Sequence, residues 1–249
     1  MNRRILYTFI ILLLFPTTLL AQERTVQNRP YTDLRTFHFG VFVGTHLQDL
    51  DFKNIGPQTI TDEYGNSNQV LITTDQDRWD AGFTVGVLGE LRLNTNLQLR
   101  VAPAMLFGTR HITFRNFTEE NKNNRPTESN QNIKTAYISS AIDLIVAAPR
   151  YNNHRPYLVF GVNPMLNLNS KDDDYLKLSR FDGFLEAGIG CDFYLPYFKL
   201  RPELKFMYGL TNSLDTNHAS QLRDKAMLPY TNSVSKSRSK IIALTFYFE

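Results

Sequence analysis

The chain has 249 residues, 42% of them hydrophobic, enough for one domain with a sizeable interior. Aromatics reach 12%, too many for a disordered chain, while a mean hydropathy of -0.30 is too polar for a bundle of membrane helices. A single Cys excludes a disulfide framework and any multi-cysteine metal site. The formal charge of +3 includes Arg3 and Arg4, which belong to the leader described next. The near-neutral remainder leaves no footprint for nucleic acid.

Residues 1–21 read as a cleaved secretory signal peptide. Two arginines precede the apolar run Ile5–Leu20, and Ala21 is followed by the polar Gln22-Glu23-Arg24. The apolar run is short for a spanning helix. No Cys follows the cut, so the chain is not a lipoprotein. Residues 22–35 form an N-terminal periplasmic segment, and 36–249 carry the repeated pattern that decides the fold.

That pattern has a period of two. In Thr36–Gln48, Phe37, Phe39, Val41, Val43 and Leu47 share a face. In Arg78–Leu93, Trp79 to Leu93 alternate with Arg78, Asp80, Thr84, Glu90 and Arg92. The alternation returns in Leu97–Phe114, Thr135–Ala147, Pro156–Leu168, Phe181–Leu195, Phe198–Leu210 and Ser237–Phe248. Three links, Asn94–Asn96, Ala148–Arg155 and Pro196–Tyr197, are short. Leu50–Asp77, Arg115–Lys134, Asn169–Arg180 and Thr211–Lys236 are long, polar loops.

The segments exceed the ~9–11 residues of a tilted membrane strand. Short turns alternating with long loops are the habit of outer-membrane barrels. The sequence therefore predicts an all-β fold: an eight-stranded antiparallel up-and-down transmembrane barrel, with short periplasmic turns and long extracellular loops. Closure follows because every backbone N–H in hydrocarbon needs a partner. An even strand number places both ends of the mature chain in the periplasm. Trp79, Tyr194, Tyr197, Phe198, Phe246 and Phe248 are the expected interface aromatics. Pro103, Pro164 and Pro202 fall inside strands, where each removes a ladder donor, so bulges or local breaks are expected there.

The other face of the strands carries charge. Glu90, Asp143, Glu186, Asp192 and Glu203 point inward with Arg92, Arg100, Arg201 and Lys205, and Asp80, Asp182, Arg110 and Lys199 extend the set. An eight-stranded interior has room for side chains and little else. Opposite charges in such a space should pair into a network that plugs the lumen. Gly40, Gly44, Gly82, Gly86, Gly188 and Gly190 also face inward, leaving room for the long Arg and Glu side chains. His38, His46, His111 and Ser139 are pieces a catalytic site would need, but no local signature joins them. Asp172-Asp173-Asp174 lacks the ordered spacing of a calcium loop and reads as a solvated surface. Asn116-Phe117-Thr118 is a chance glycosylation match. Cys191 should face lipid as an inert small residue. No cofactor, metal, nucleic acid or small-molecule substrate is called for, and the expected surroundings are outer-membrane lipid.

Several runs carry a family resemblance: Gly40–His46, Trp79–Leu91, LRVAPAMLFG at Leu99–Gly108 and NHRPYLVFG at Asn153–Gly161. They are joined by Leu178–Gly209, with its CDFYLP and FKLRPELKF blocks, and by the ending LTFYFE. In this order they resemble the PorT family of type IX secretion and gliding motility systems, over roughly Phe37 to Glu249. The resemblance implies an outer-membrane component needed to export cargo with C-terminal sorting domains. It implies no catalytic residue. The other type IX subunits are the implied partners, through the periplasmic rim or the loops.

Overall fold

The computed structural model describes residues 26–61, 67–120, 125–169, 174–222 and 225–249. The leader and the residues Asp172 and Asp173 lie outside these. Eight long strands close on themselves: β1 (Phe37–Asn54), β5 (Asp80–Arg92), β6 (Leu97–Glu120), β7 (Pro126–Ala147), β8 (His154–Asn167), β9 (Phe181–Tyr194), β10 (Lys199–Gly209) and β11 (Val234–Phe248). Each pairs antiparallel with its chain neighbour, and β1 pairs with β11 from Val41↔Phe248 upward, which completes an up-and-down barrel. The alternation read in the sequence is the in–out alternation of the wall. Among the described residues, no helix is long and apolar enough to cross a membrane.

The outer wall is apolar. Phe39, Val41, Phe83, Val85, Val87, Ile142, Phe160, Leu185, Ile189, Leu204 and Phe206 are exposed, Phe39 at 75%. A continuous band of this kind is far larger than the scattered apolar patches a soluble protein tolerates. It fits hydrocarbon as solvent, where the paired barrel leaves no backbone group unsatisfied.

The prolines do not bulge the wall. Pro103, Pro164 and Pro202 each keep register with one neighbour, as in Pro103↔Ser140, Pro164↔Gly183 and Pro202↔Phe246. On the other side the ladder skips and resumes unshifted: Gly86↔Ala104 and Gly89↔Val101 flank Pro103, and Leu200↔Phe193 and Glu203↔Gly190 flank Pro202. Proline lacks one N–H, and that N–H would have faced one neighbour only, so the cost stays on one seam. Pro156, Pro202, Cys191, Leu158, Ile189 and Phe193 line a lipid-side groove of about 800 Å3 between β8, β9 and β10. Cys191 is half-buried there.

The long extracellular links are more ordered than loops. β6 and β7 continue as a ribbon, in unbroken register as far as Asn116↔Thr127 and, past a shift, to Glu120↔Pro126, through what the sequence presents as the loop Arg115–Lys134. The alternation persists there with apolar Ile112, Phe114 and Ile133 on the inner side, among Asn, Thr and charged residues that mask it. Within Leu50–Asp77, β2 (Gln58–Thr61) and β3 (Ser67–Val70) form a hairpin, and β4 (Ile72–Asp75) adds to the ribbon edge. Leu50, Ile72, Ile112, Phe114, Leu176, Leu178, Leu214 and Val234 form a separate apolar core above the barrel. Phe114, Tyr175 and Tyr230 pack mutually within it at 4.9 to 5.7 Å.

Candidate functional site

The interior of the lower barrel is a single ion-paired network. Strand parity alone turns its members inward. Arg201 reaches three carboxylates, Glu90 and Asp192 at 2.6 Å and Glu249 at 2.5 Å. Arg100 pairs with Glu203 at 2.8 Å and with Glu90 at 3.5 Å. Lys205 joins Glu186 at 2.6 Å, Asp143 at 2.8 Å and Glu203 at 3.4 Å. Lys199 pairs with Glu249, which also lies 3.6 Å from His38. Arg100 and Arg201 are 0% exposed.

Two tyrosines hold the network to the wall. The Tyr157 and Tyr247 hydroxyls donate to Glu203 at 2.7 and 3.0 Å. Their rings also face the guanidiniums, Arg100 lying 4.4 Å from the Tyr247 centroid and Arg201 4.9 Å from that of Tyr157. The glycines serve these rings and a histidine more than the charges. A Cβ on Gly190 would strike the Tyr157 ring, one on Gly86 the Phe42 ring, and one on Gly82 the His46 imidazole.

Above this layer the lumen is packed by Phe42, Leu88, Leu106, Tyr137, Met165, Phe184, Met207 and Ile241. A cavity of about 40 Å3 beside Thr84, Ser139, Asn163, Glu186 and Lys205 has room for a few waters. Nearer the outside, Arg110 donates to Gln48 and Ser239, and Asp182 accepts from Thr211 and Ser213. Asp80 accepts from the His111 main chain at 2.7 Å and lies 2.6 Å from its ring. On the ribbon edge, Arg115 donates to Asp77 and holds that carboxyl below the usual carboxylate range.

A strap crosses the periplasmic mouth. Asn28 bonds Asn153 and the Tyr194 carbonyl, and Arg29 donates to the Glu249 carbonyl. Arg150 donates to the carbonyls of Asn28 and Arg29 and lies over the Tyr194 ring. Asp33 accepts from the Tyr194 hydroxyl at 2.5 Å and pairs with Arg150 and Arg155.

Two expected placements change. Tyr194 is not an interface aromatic: it is 2% exposed and points inward, because it shares parity with Asp192. Arg92 stands at the rim, half-buried, and donates to the Asp33 carbonyl outside the buried network. Trp79, Tyr197, Phe198 and Phe246 are exposed, Tyr197 at 92%, and Phe248 packs against Phe198. The sequence reading missed Glu249, Tyr157, Tyr247 and the strap. Glu249 and Tyr247 continue the inward parity of Ala243 and Thr245, so period two alone would have found them.

The possible catalytic pieces do not converge. His46 bonds Thr84 at 3.0 Å, His38 lies by Glu249 and His111 by Asp80, while Ser139 lines the small cavity. The Asn116 side chain is buried and accepts from the Thr118 main chain. Among the described residues no cluster of His, Cys, Asp and Glu is arranged to hold a metal.

A closed eight-strand wall, apolar outside and charged inside, is matched by a family drawn from sequence: the outer membrane protein beta-barrel domain aligns with residues 20–215. The chain belongs to that family. Its place is the bacterial outer membrane. No curated protein matches it in sequence. Among solved structures it is similar to OprG from Pseudomonas aeruginosa, at 12% identity over 86% of this chain and 94% of that one, TM-score 0.47. Neisserial surface protein A follows at 12% identity, 86% and 98% coverage and TM-score 0.40. Ail, the attachment invasion locus protein of Yersinia pestis, in complex with the heparin analogue sucrose octasulfate, is similar at 11% identity, 86% and 99% coverage and TM-score 0.38.

Proposed function

We propose that this barrel serves protein secretion by a type IX system as an accessory or assembly component, and that its lumen is not the conduit. The observation carrying the second part is the buried network centred on Arg100, Arg201 and Lys205. A polypeptide threading this barrel would have to expel those side chains and strand their charges, a cost of several kcal/mol per ion. The strap below and the apolar core above lie across the same path. The secretion part rests on the resemblance of the Leu99–Gly108, Asn153–Gly161 and Leu178–Gly209 runs to the PorT family.

Histidines held separately by Thr84, Glu249 and Asp80 support a non-enzymatic role. Other subunits of the system would dock on the loops or on the periplasmic rim, where Tyr31, Leu34 and Tyr151 are exposed around the strap. The test is deletion of the gene, followed by assay of sorting-domain cargo in medium and periplasm. Cargo retained in the periplasm supports the reading; normal export overturns it. Purified protein in a planar bilayer should give no stable conductance, and a steady large conductance would refute the closed lumen.

A further inference from the structure

On the outward face of β11, Lys236, Arg238 and Lys240 follow one another at spacing two. They continue upward the line of Ile242, Leu244 and Phe246 that faces lipid. Across the seam, Lys53 of β1 stands directly opposite Lys236. Like charges directly opposed on one face destabilise a pair of strands unless something of opposite sign lies between them. The nearby acids do not supply it. Asp51 stands opposite Arg238 but accepts from Lys240 at 2.9 Å, and Asp49 sits opposite Lys240. Among the described residues no acid pairs with Lys53 or Lys236. Arg238 donates one N–H to the Tyr208 hydroxyl at 2.8 Å, which fixes its guanidinium and leaves further donors free. Lys53, Lys236, Arg238 and Tyr208, together with Asp51, whose carboxylate is held by Lys240, line an outward groove of about 410 Å3.

We propose that this groove is a binding site for the phosphorylated headgroup of an outer-leaflet glycolipid. The position decides the occupant. The patch lies just above the apolar band, on the side of the long loops, at the level where lipid headgroups meet hydrocarbon. A glycolipid there would lay its acyl chains along Phe206, Ile242 and Leu244. It would set a phosphate between Lys53 and Lys236, within reach of Arg238. Phosphate suits the spare guanidinium donors and relieves the like-charge pair. Tyr208 has the amphipathic character expected at that boundary. This inference is independent of the secretion reading.

The full chain, folded in detergent micelles, is titrated with bisphosphorylated lipid A, with the same lipid stripped of its phosphates, and with inorganic phosphate. Each basic residue at an anionic surface contributes about a factor of five in affinity, so Lys53→Gln with Lys236→Gln should weaken lipid A binding roughly thirty-fold. Lys134→Gln, on β7 across the barrel, should leave it unchanged. Both test lysines are exposed, and heat-modifiable gel mobility verifies that the variants are folded. Equal binding by the double variant would overturn the proposal. So would equal binding of the dephosphorylated lipid. Displacement of lipid A by millimolar inorganic phosphate would reduce the site to a simple anion site. Binding of an acidic peptide in preference to lipid A would make it a protein-docking surface, which also overturns the proposal.

Discussion

Replacing Arg201 by Met should be the most damaging single change in the lumen, and replacing Glu203 by Gln a much milder one. Arg201 is fully buried, is the cation nearest to Glu90 and Asp192, and also pairs with Glu249. Without it Asp192 keeps, among the described residues, only the Tyr194 hydroxyl, at 3.5 Å. Glu90 falls back on Arg100 at 3.5 Å, and Glu249 on Lys199. Stranding buried charge in this way costs about 3–5 kcal/mol. Glu203→Gln removes a charge from a network whose carboxylates, Glu90, Asp143, Glu186, Asp192, Glu203 and Glu249, outnumber Arg100, Lys199, Arg201 and Lys205. Tyr157 and Tyr247 donate to different oxygens of Glu203, so the single amide oxygen keeps one of the two bonds, and the loss should be about 1–2 kcal/mol. The assay is urea-dependent folding in lipid vesicles, read by Trp79 fluorescence and gel mobility. Equal losses for the two variants would show that charge compensation does not govern this interior, and the reasoning would fail.

Other outcomes follow from single contacts. Asp33→Ala removes the acceptor for Tyr194 and the partner of Arg150 and Arg155. It should cost about 1–2 kcal/mol and make residues 26–36 cleavable by added protease while the wall stays resistant. Gly190→Ala pushes a methyl into the Tyr157 ring. Overpacking should cost about 1–3 kcal/mol, and a Tyr157→Leu background should recover most of it in a double-mutant cycle. In a Cys191→Ser background, a cysteine at Asn130 should react with an impermeant thiol label on intact cells. One at Tyr151 should react only after the outer membrane is opened, and the reverse pattern would invert the topology.

Period two made most of the wall legible, because one face meets hydrocarbon and the other meets charge. The same parity also foretold that Glu90, Arg100, Asp143, Glu186, Asp192, Arg201, Glu203 and Lys205 share an interior. What it could not give is which acid meets which base, since Arg100 and Glu203 are 103 residues apart. Tyr194 shows a different limit: aromatic content near a turn suggested an interface, and parity, which pointed inward, was the stronger signal. The β6–β7 ribbon was hidden because its outer face is rich in Asn, Thr and charge, so composition read as loop. The strap was illegible for a third reason. Its Asn28, Arg29 and Asp33 have no periodicity, and their partners come from distant turns and from Glu249.

Those strap contacts also impose an order in time. Asn28 and Arg29 hold the β7–β8 turn at Arg150 and Asn153, the end of β9 at Tyr194, and Glu249 beyond β11. Glu249 exchanges two main-chain hydrogen bonds with Lys199, so it stands in place only when β11 has paired with β10. The earliest described part of the chain therefore finishes its own docking last. A barrel with a slipped or missing final strand would lose the Arg29 bond to Glu249 and leave the strap held from one side only, by Arg150, Asn153 and Tyr194, a local mark by which a finished wall differs from an unfinished one.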